Sequence, residues 1–220
     1  MVSILVGAGA DPNAGERLDG GGETPLIQAA SLNNTPVALQ LLESGADLER
    51  HGRYPDQGID TALGYALLYG KDPWFGLERG ECVELLLDWG ALTSLPLKAA
   101  LGRRDAVAEM LPLATPEDRQ RAMVFAAHRG ETAVVQACLE AGVDPSKVVS
   151  FFRERLTPLL AAAGQGHLDT VQALLDAGVE PEWPEDGEGT NAMVWAWTRS
   201  ADGGDEPSAL GRERSKLGSR

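Results

Sequence analysis

The sequence predicts an all-α solenoid of stacked helix–turn–helix units joined by hairpin-like finger loops, and three observations carry that reading. Five helical runs stop at a glycine followed by a small residue and usually an acid. These stops are Gly9-Ala10-Asp11, Gly45-Ala46-Asp47, Gly90-Ala91-Leu92, Gly142-Val143-Asp144 and Gly178-Val179-Glu180. Shorter alanine-bearing runs precede them, twice opened by Thr-Pro-Leu, at Thr24-Pro25-Leu26 and Thr157-Pro158-Leu159. Aromatic residues make up only 5% of the chain while Ala, Leu and Gly dominate, as expected where small helices pack closely.

Taken in order, Met1 to Ala8 matches only the second helix of a unit, a half-repeat over residues 1–13. Such a helix would leave the first full unit partly uncovered. A truncated or misassigned start is the expectation, ahead of another surface covering that face. The first full unit opens at Thr24 and closes at Gly45. Asn33 stands where the clearest copy has Gly166, and Asn is the next-best residue for a left-handed turn. The next unit runs from Thr61-Ala62-Leu63 through Gly70 to Gly90, with Ala62 replacing proline and an insertion, Lys71 to Arg79, between its helices. Between about residues 95 and 120 lies a degenerate unit. It keeps Pro96-Leu97, Ala100 and a Val107, Met110, Leu111 face but has no terminal glycine. The following copy, with Ala126-Ala127 and Gly130, lacks an opening Thr-Pro, since Arg121-Ala122 occupies that place.

The clearest copy follows. Thr157 supplies an N-cap hydroxyl and Pro158 sits at the first helical position, where its missing N–H costs nothing. Gly166 ends the first helix. A second helix from about Leu168 to Ala177 places Val171, Leu174 and Leu175 on one face. Thr190 to Thr198 reads as a capping helix enlarged by Trp195 and Trp197, and residues 199–220 as a disordered tail.

In order and spacing, Thr157-Pro158-Leu159, Ala162-Ala163, Gly166-His167 and Gly178-Val179-Glu180 resemble the ankyrin repeat. The resemblance covers residues 1–198, most specifically in the units opening at Thr24 and Thr157. It implies a rigid array that binds another protein through its finger loops and the inner face of its first helices. It also implies a structural role for His167. Carried onto this chain, the inner-face positions are Leu32, Leu68, Tyr69, His128 and Arg129, with Gln165 further on.

Two loops outgrow the repeat, and such loops are often functional. The finger Glu49 to Asp60 is four residues longer than the one after Gly178, measured to the next threonine, and carries Arg53 and Tyr54. The insertion carries Trp74 and Phe75, which either anchor a partner or plug a gap against Trp89. In the last finger Trp183 lies among acids that include Glu185 and Asp186, which suits a basic partner or simply a soluble loop.

Composition sets the remaining limits. A formal charge of −14 argues against nucleic-acid binding, which needs Lys and Arg clusters, and fits a basic protein partner or solubility. No stretch approaches the roughly 20 apolar residues of a membrane span. The start lacks the basic residues of a signal peptide. Cys82 and Cys138 fall in the apolar parts of different units, so they are expected as buried thiols in a reducing cytoplasm. The three histidines are scattered, and no Cys–His cluster has metal-ligand spacing. Gly20-Gly21-Gly22 lacks the Lys-Ser/Thr of a phosphate loop. No catalytic residue, metal site or cofactor is expected, and the chain is not expected to be an enzyme. The function expected is a scaffold, adaptor or inhibitor. The alternative is an immunity-type protein masking the active site of a basic toxin or hydrolase.

Overall fold

A threonine hydroxyl starts the first helix of four units, and at Thr61 it accepts from the Gly64 N–H at 3.5 Å. Thr24, Thr115 and Thr157 each accept a hydrogen bond from the backbone N–H three residues on, at 3.2, 3.1 and 3.2 Å. A proline follows each of them. The computed structural model describes residues 1–15, 23–52, 60–68, 80–151 and 154–180, and within them these caps open a row of helix pairs.

The inner row holds α2 (Pro25–Ser31), α4 (Ala62–Leu68), α6 (Leu95–Ala100), α8 (Pro116–Arg129) and α10 (Pro158–Gly164). The outer row holds α1 (Val2–Gly7), α3 (Thr35–Glu43), α5 (Gly80–Asp88), α7 (Arg104–Met110), α9 (Thr132–Glu140) and α11 (Leu168–Asp176). Ahead of α10, β1 (Val149–Phe151) and β2 (Glu154–Leu156) pair antiparallel, Val149 opposite Leu156, as a short finger hairpin. The architecture is therefore the all-α repeat solenoid that the sequence predicts.

The five stop glycines all take positive φ, between 75° and 94°. The core forms where neighbouring helices face each other. Leu26, Ile27, Leu63, Leu86, Leu97, Phe125 and Leu174 are fully buried, and every residue of α4 is buried. Cys82 and Cys138 are free, buried thiols, as expected. On α1 no residue is buried, and Ile4 and Leu5 are 76% and 54% exposed.

Two readings of the middle of the chain need correction. The copy ending at Gly142 does have an opening Thr-Pro, at Thr115-Pro116. It sits six positions upstream of Arg121-Ala122 because α8 runs 14 residues where α10 runs 7. The degenerate unit consequently ends earlier than residue 120. Its second helix passes into a 3-10 turn, Leu111–Leu113, and Thr115 already belongs to the next unit. The buried amide of Gln120 then ties the lengthened helix to the following finger, donating to the Asp144 carbonyl at 2.7 Å.

The mid-unit turns are left-handed, at Asn33 (φ 49°), Gly102, Gly130 (φ 77°) and Gly166 (φ 75°). Asn33 does more than a glycine could: its side-chain oxygen accepts from the Cys82 N–H at 3.2 Å, in the first turn of the next unit's outer helix. Gly130 is needed for a second reason. A Cβ there would stand 2.5 Å from the His167 ring, whereas one at Gly166 would meet nothing within 4 Å. Gly166→Ala should therefore cost only the left-handed backbone penalty, about 1 kcal/mol. Gly130→Ala should cost clearly more, because His167 must move as well. Urea denaturation of the two variants measures both, and equal losses would show that the imidazole gives way without cost.

Candidate functional site

The inner-face residues expected to meet a partner lie at the C-terminal ends of the first helices, and the structure treats them unequally. Leu32, the C-cap of α2, is 64% exposed. This side chain gains little from its own unit, because α2 already buries Leu26, Ile27, Ala29 and Ala30.

Leu68 was expected beside it as a second apolar anchor. It is instead 7% exposed and part of the core, because all of α4 faces inward. His128 was likewise expected on the groove and is 9% exposed. Its Nε2 lies 3.1 Å from Gln165 Nε2, and its carbonyl lies 3.1 Å from His167 Nε2. The two histidines thus join adjacent units, with His167 acting structurally. Between the same units, the hydroxyls of Thr132 and Thr170 are 2.7 Å apart.

Arg129 is partly buried. Its Nη1 donates to the Leu67 carbonyl at 3.2 Å, and its buried Nε has no hydrogen-bond partner among the described residues. Burial pulls the guanidinium pKa below its ordinary value, with Glu131 opposing the shift. Arg53, Tyr54, Tyr69, Trp74, Phe75, Trp183, Glu185 and Asp186 lie outside the described residues.

The finger side carries a feature that sequence reading missed. The side chain of Asn13 accepts from the Asp47 N–H at 2.7 Å and donates to the Gly45 carbonyl at 3.1 Å. One unit later, Glu49 accepts from the Leu92 N–H at 2.7 Å. Both acceptors stand four residues past a stop glycine, and both donors stand two residues past the next one. The same rung therefore recurs. The signal was present in the register of the stops, but two different residue types, Asn and Glu, occupy the accepting position and hide it.

At the base of the long finger, the Gly52 N–H donates to the Asp60 carbonyl at 2.9 Å, and Asp60 is fully buried. A Cβ on Gly52 would stand 3.0 Å from the Asp60 carboxylate and 3.1 Å from Ile27, so Gly52 is packed closely against Asp60 and the first full unit.

Among the described residues, no group of three His, Cys, Asp or Glu side chains comes together as a metal site. No helix among them is long and apolar enough to cross a membrane. The thiols are poorly suited to nucleophilic work at neutral pH. Burial pushes Cys82 up to about 11 and Cys138 up to about 12. Asp144, at the start of the β1–β2 finger, is held below its ordinary value by the Ser146 hydroxyl, which donates to it at 2.7 Å.

With this geometry in place, the comparisons with known proteins are decisive for the family. A model of three ankyrin repeats matches residues 79–182 and 123–202, and a single ankyrin repeat matches residues 21–52. The chain belongs to the ankyrin repeat family. Members of this family are generally protein–protein interaction modules. The human ASB11 ankyrin repeat domain is a solved structure similar to this chain, at 19% identity over 94% of this chain and 93% of that one, with a TM-score of 0.41. No curated protein matches the chain.

The raised thiol values set a pH dependence with a definite sign. A thiol that holds its proton more tightly when folded than when unfolded adds stability that is complete below the unfolded value of 9.0. That stability is lost as pH rises toward 11 and 12. A Cys82→Ala, Cys138→Ala double variant should thus lose stability less steeply than the parent between pH 9 and 11. Parallel slopes in urea titrations across that range would show the thiols to be more open than the structure places them.

Proposed function

We infer that this chain is a non-catalytic binding protein that holds a second protein against the inner face and finger loops of its early units. The observation that carries this reading is Leu32, an apolar side chain 64% exposed at the end of a helix that buries Leu26, Ile27, Ala29 and Ala30 in an ankyrin array. A partner's apolar side chain would remove that surface from water, whereas the solitary chain leaves it wet. Tyr54, Tyr69, Trp74, Phe75 and Trp183 are proposed as further anchors, since large aromatic side chains concentrate binding energy at interfaces. Leu68 and His128 drop out of the anchor set because both are buried. Arg53 stays as a rim contact.

The partner proposed is a protein with a basic surface. Support comes from the charge of −14, with Glu185 and Asp186 steering the encounter beside Trp183. Two free, buried thiols are consistent with a reducing compartment, so the place proposed is the cytoplasm. The roles this supports are scaffold, adaptor or inhibitor.

The test uses the full chain as bait in an extract of its native cell, with quantitative mass spectrometry of what is retained. Leu32→Asp and a Trp74→Ala, Phe75→Ala double variant should each lose the retained partner while melting within a degree or two of the parent. A partner held equally by all three baits would remove these residues from the interface. With the partner in hand, the association rate should fall as salt rises, and a salt-independent rate would end the steering role.

A further inference from the structure

Two consecutive joints of the array, both wholly described, carry no finger. α3 leads to α4 through residues 44–61 and α9 leads to α10 through residues 141–157, each long enough for one. α5 instead reaches α6 through residues 89–94, and α7 reaches α8 through residues 111–115, which include the 3-10 turn. The finger row therefore has a notch two joints wide. Large apolar side chains are exposed along it: Trp89 at 43%, Leu92 at 69% and Leu113 at 89%. The two joints also share a recess of about 280 Å³, lined by Ser94, Leu95 and Pro96 on one side and by Met110, Leu113 and Asp118 on the other.

Side chains pin the backbone of both joints. Glu49 accepts from the Leu92 N–H at 2.7 Å. Arg119 donates to the Pro112 carbonyl at 3.0 Å and to the Ala114 carbonyl at 3.1 Å, on either side of Leu113. Leu92 and Leu113 thus face water from anchored backbone, and exposed apolar surface of this kind marks a contact site. The recess is smaller than the roughly 300–1,000 Å³ of a drug-sized ligand site and suits one large apolar side chain. Its surroundings are acidic. Asp118 lines it, Asp88 ends α5, and exposed Glu109 and Glu117 stand near the end of α7 and the start of α8. The two guanidiniums nearby are already engaged, Arg119 on the carbonyls and Arg121 on Glu117 at 2.7 Å.

A complementary segment is present in this chain. Against a net charge of −14, residues 210–220 carry Arg212, Arg214, Lys216 and Arg220 with Glu213 as the one acid, and Leu217 follows Lys216 directly. This segment lies outside the described residues. Its length suffices to reach the notch. Counted from residue 202, where the family match ends, Leu217 is 15 residues on, about 50 Å of extended chain. Three helix-pair spacings of 8–10 Å, about 30 Å, separate a unit after α10–α11 from the recess.

We propose that the notch is the docking site of this chain's own C-terminal segment, with Leu217 seated in the recess and Arg212, Arg214 and Lys216 set against its carboxylates. The leucine leaves water while the cations fix the segment's place on the rim. The site lies away from the inner face and does not rest on what that face binds.

The test is photo-crosslinking within the full chain, with p-benzoylphenylalanine in place of Leu113, a side chain exposed enough to change without disturbing the core. After irradiation, digestion and mass spectrometry should find Leu113 joined to residues 210–220. Attachment to no part of that segment would overturn the proposal. The yield should be unchanged on dilution; a yield that falls would mean that a second copy fills the notch, and would overturn docking of the chain's own segment. In the labelled chain Leu217→Asp should lose the adduct, and so should Arg212→Glu, Arg214→Glu and Lys216→Glu combined. An adduct that survives Leu217→Asp would overturn the anchor, and one that survives the triple variant would overturn the charge pairing. All four substitutions lie beyond the repeats matched by the family, so melting of the array should stay at the parent value.

Discussion

Everything in this molecule depends on helix pairs burying their apolar faces against the next pair. A seven-residue helix such as α2 or α10 is far too short to persist alone in water. It exists because Leu26 and Ile27, or Leu159 and Leu160, are sealed by the neighbouring unit. This constraint explains why the helix starts carry threonine caps and prolines while the inner faces carry alanine. Short helices need every terminal group satisfied, and close stacking leaves room only for small side chains.

The ends of the units meet a second demand, since each turn exposes backbone donors and acceptors that the next unit must satisfy. Asn33 answers one of them on the Cys82 N–H, and Asn13 and Glu49 answer the finger turns of Gly45 and Gly90. On the far side of the array, His167 and Thr170 play the corresponding part against His128 and Thr132. Polar cross-links fix the spacing that apolar contact alone leaves loose. They also consume side chains that an isolated sequence would assign to a partner, which is the fate of His128.

The degenerate unit interrupts this economy. A shortened α6 and α7, a 3-10 turn in place of the glycine stop, and the 14-residue length of α8 against 7 for α10 all belong to one rearrangement. Upstream of it the finger rungs are regular, and downstream the histidine and threonine links take over. Across this change of cross-link Arg129 donates to the Leu67 carbonyl at 3.2 Å.

By itself the sequence determined the fold, because glycine stops and Thr-Pro starts are local rules: a left-handed turn and an N-cap need no knowledge of distant residues. Asn33 at a left-handed position and the two buried thiols were legible for the same reason. Only the tertiary structure decided which inner-face residues are open. Leu32 and Leu68 occupy neighbouring register positions of two units, yet one is exposed and the other sealed, because burial depends on what the next unit brings alongside. The opening at Thr115 escaped notice because a lengthened helix shifts the register that repeat-matching assumes. The rungs of Asn13 and Glu49 and the reach of Arg129 to Leu67 are contacts between residues 32 to 62 positions apart. Such pairs become neighbours only when the stack has formed.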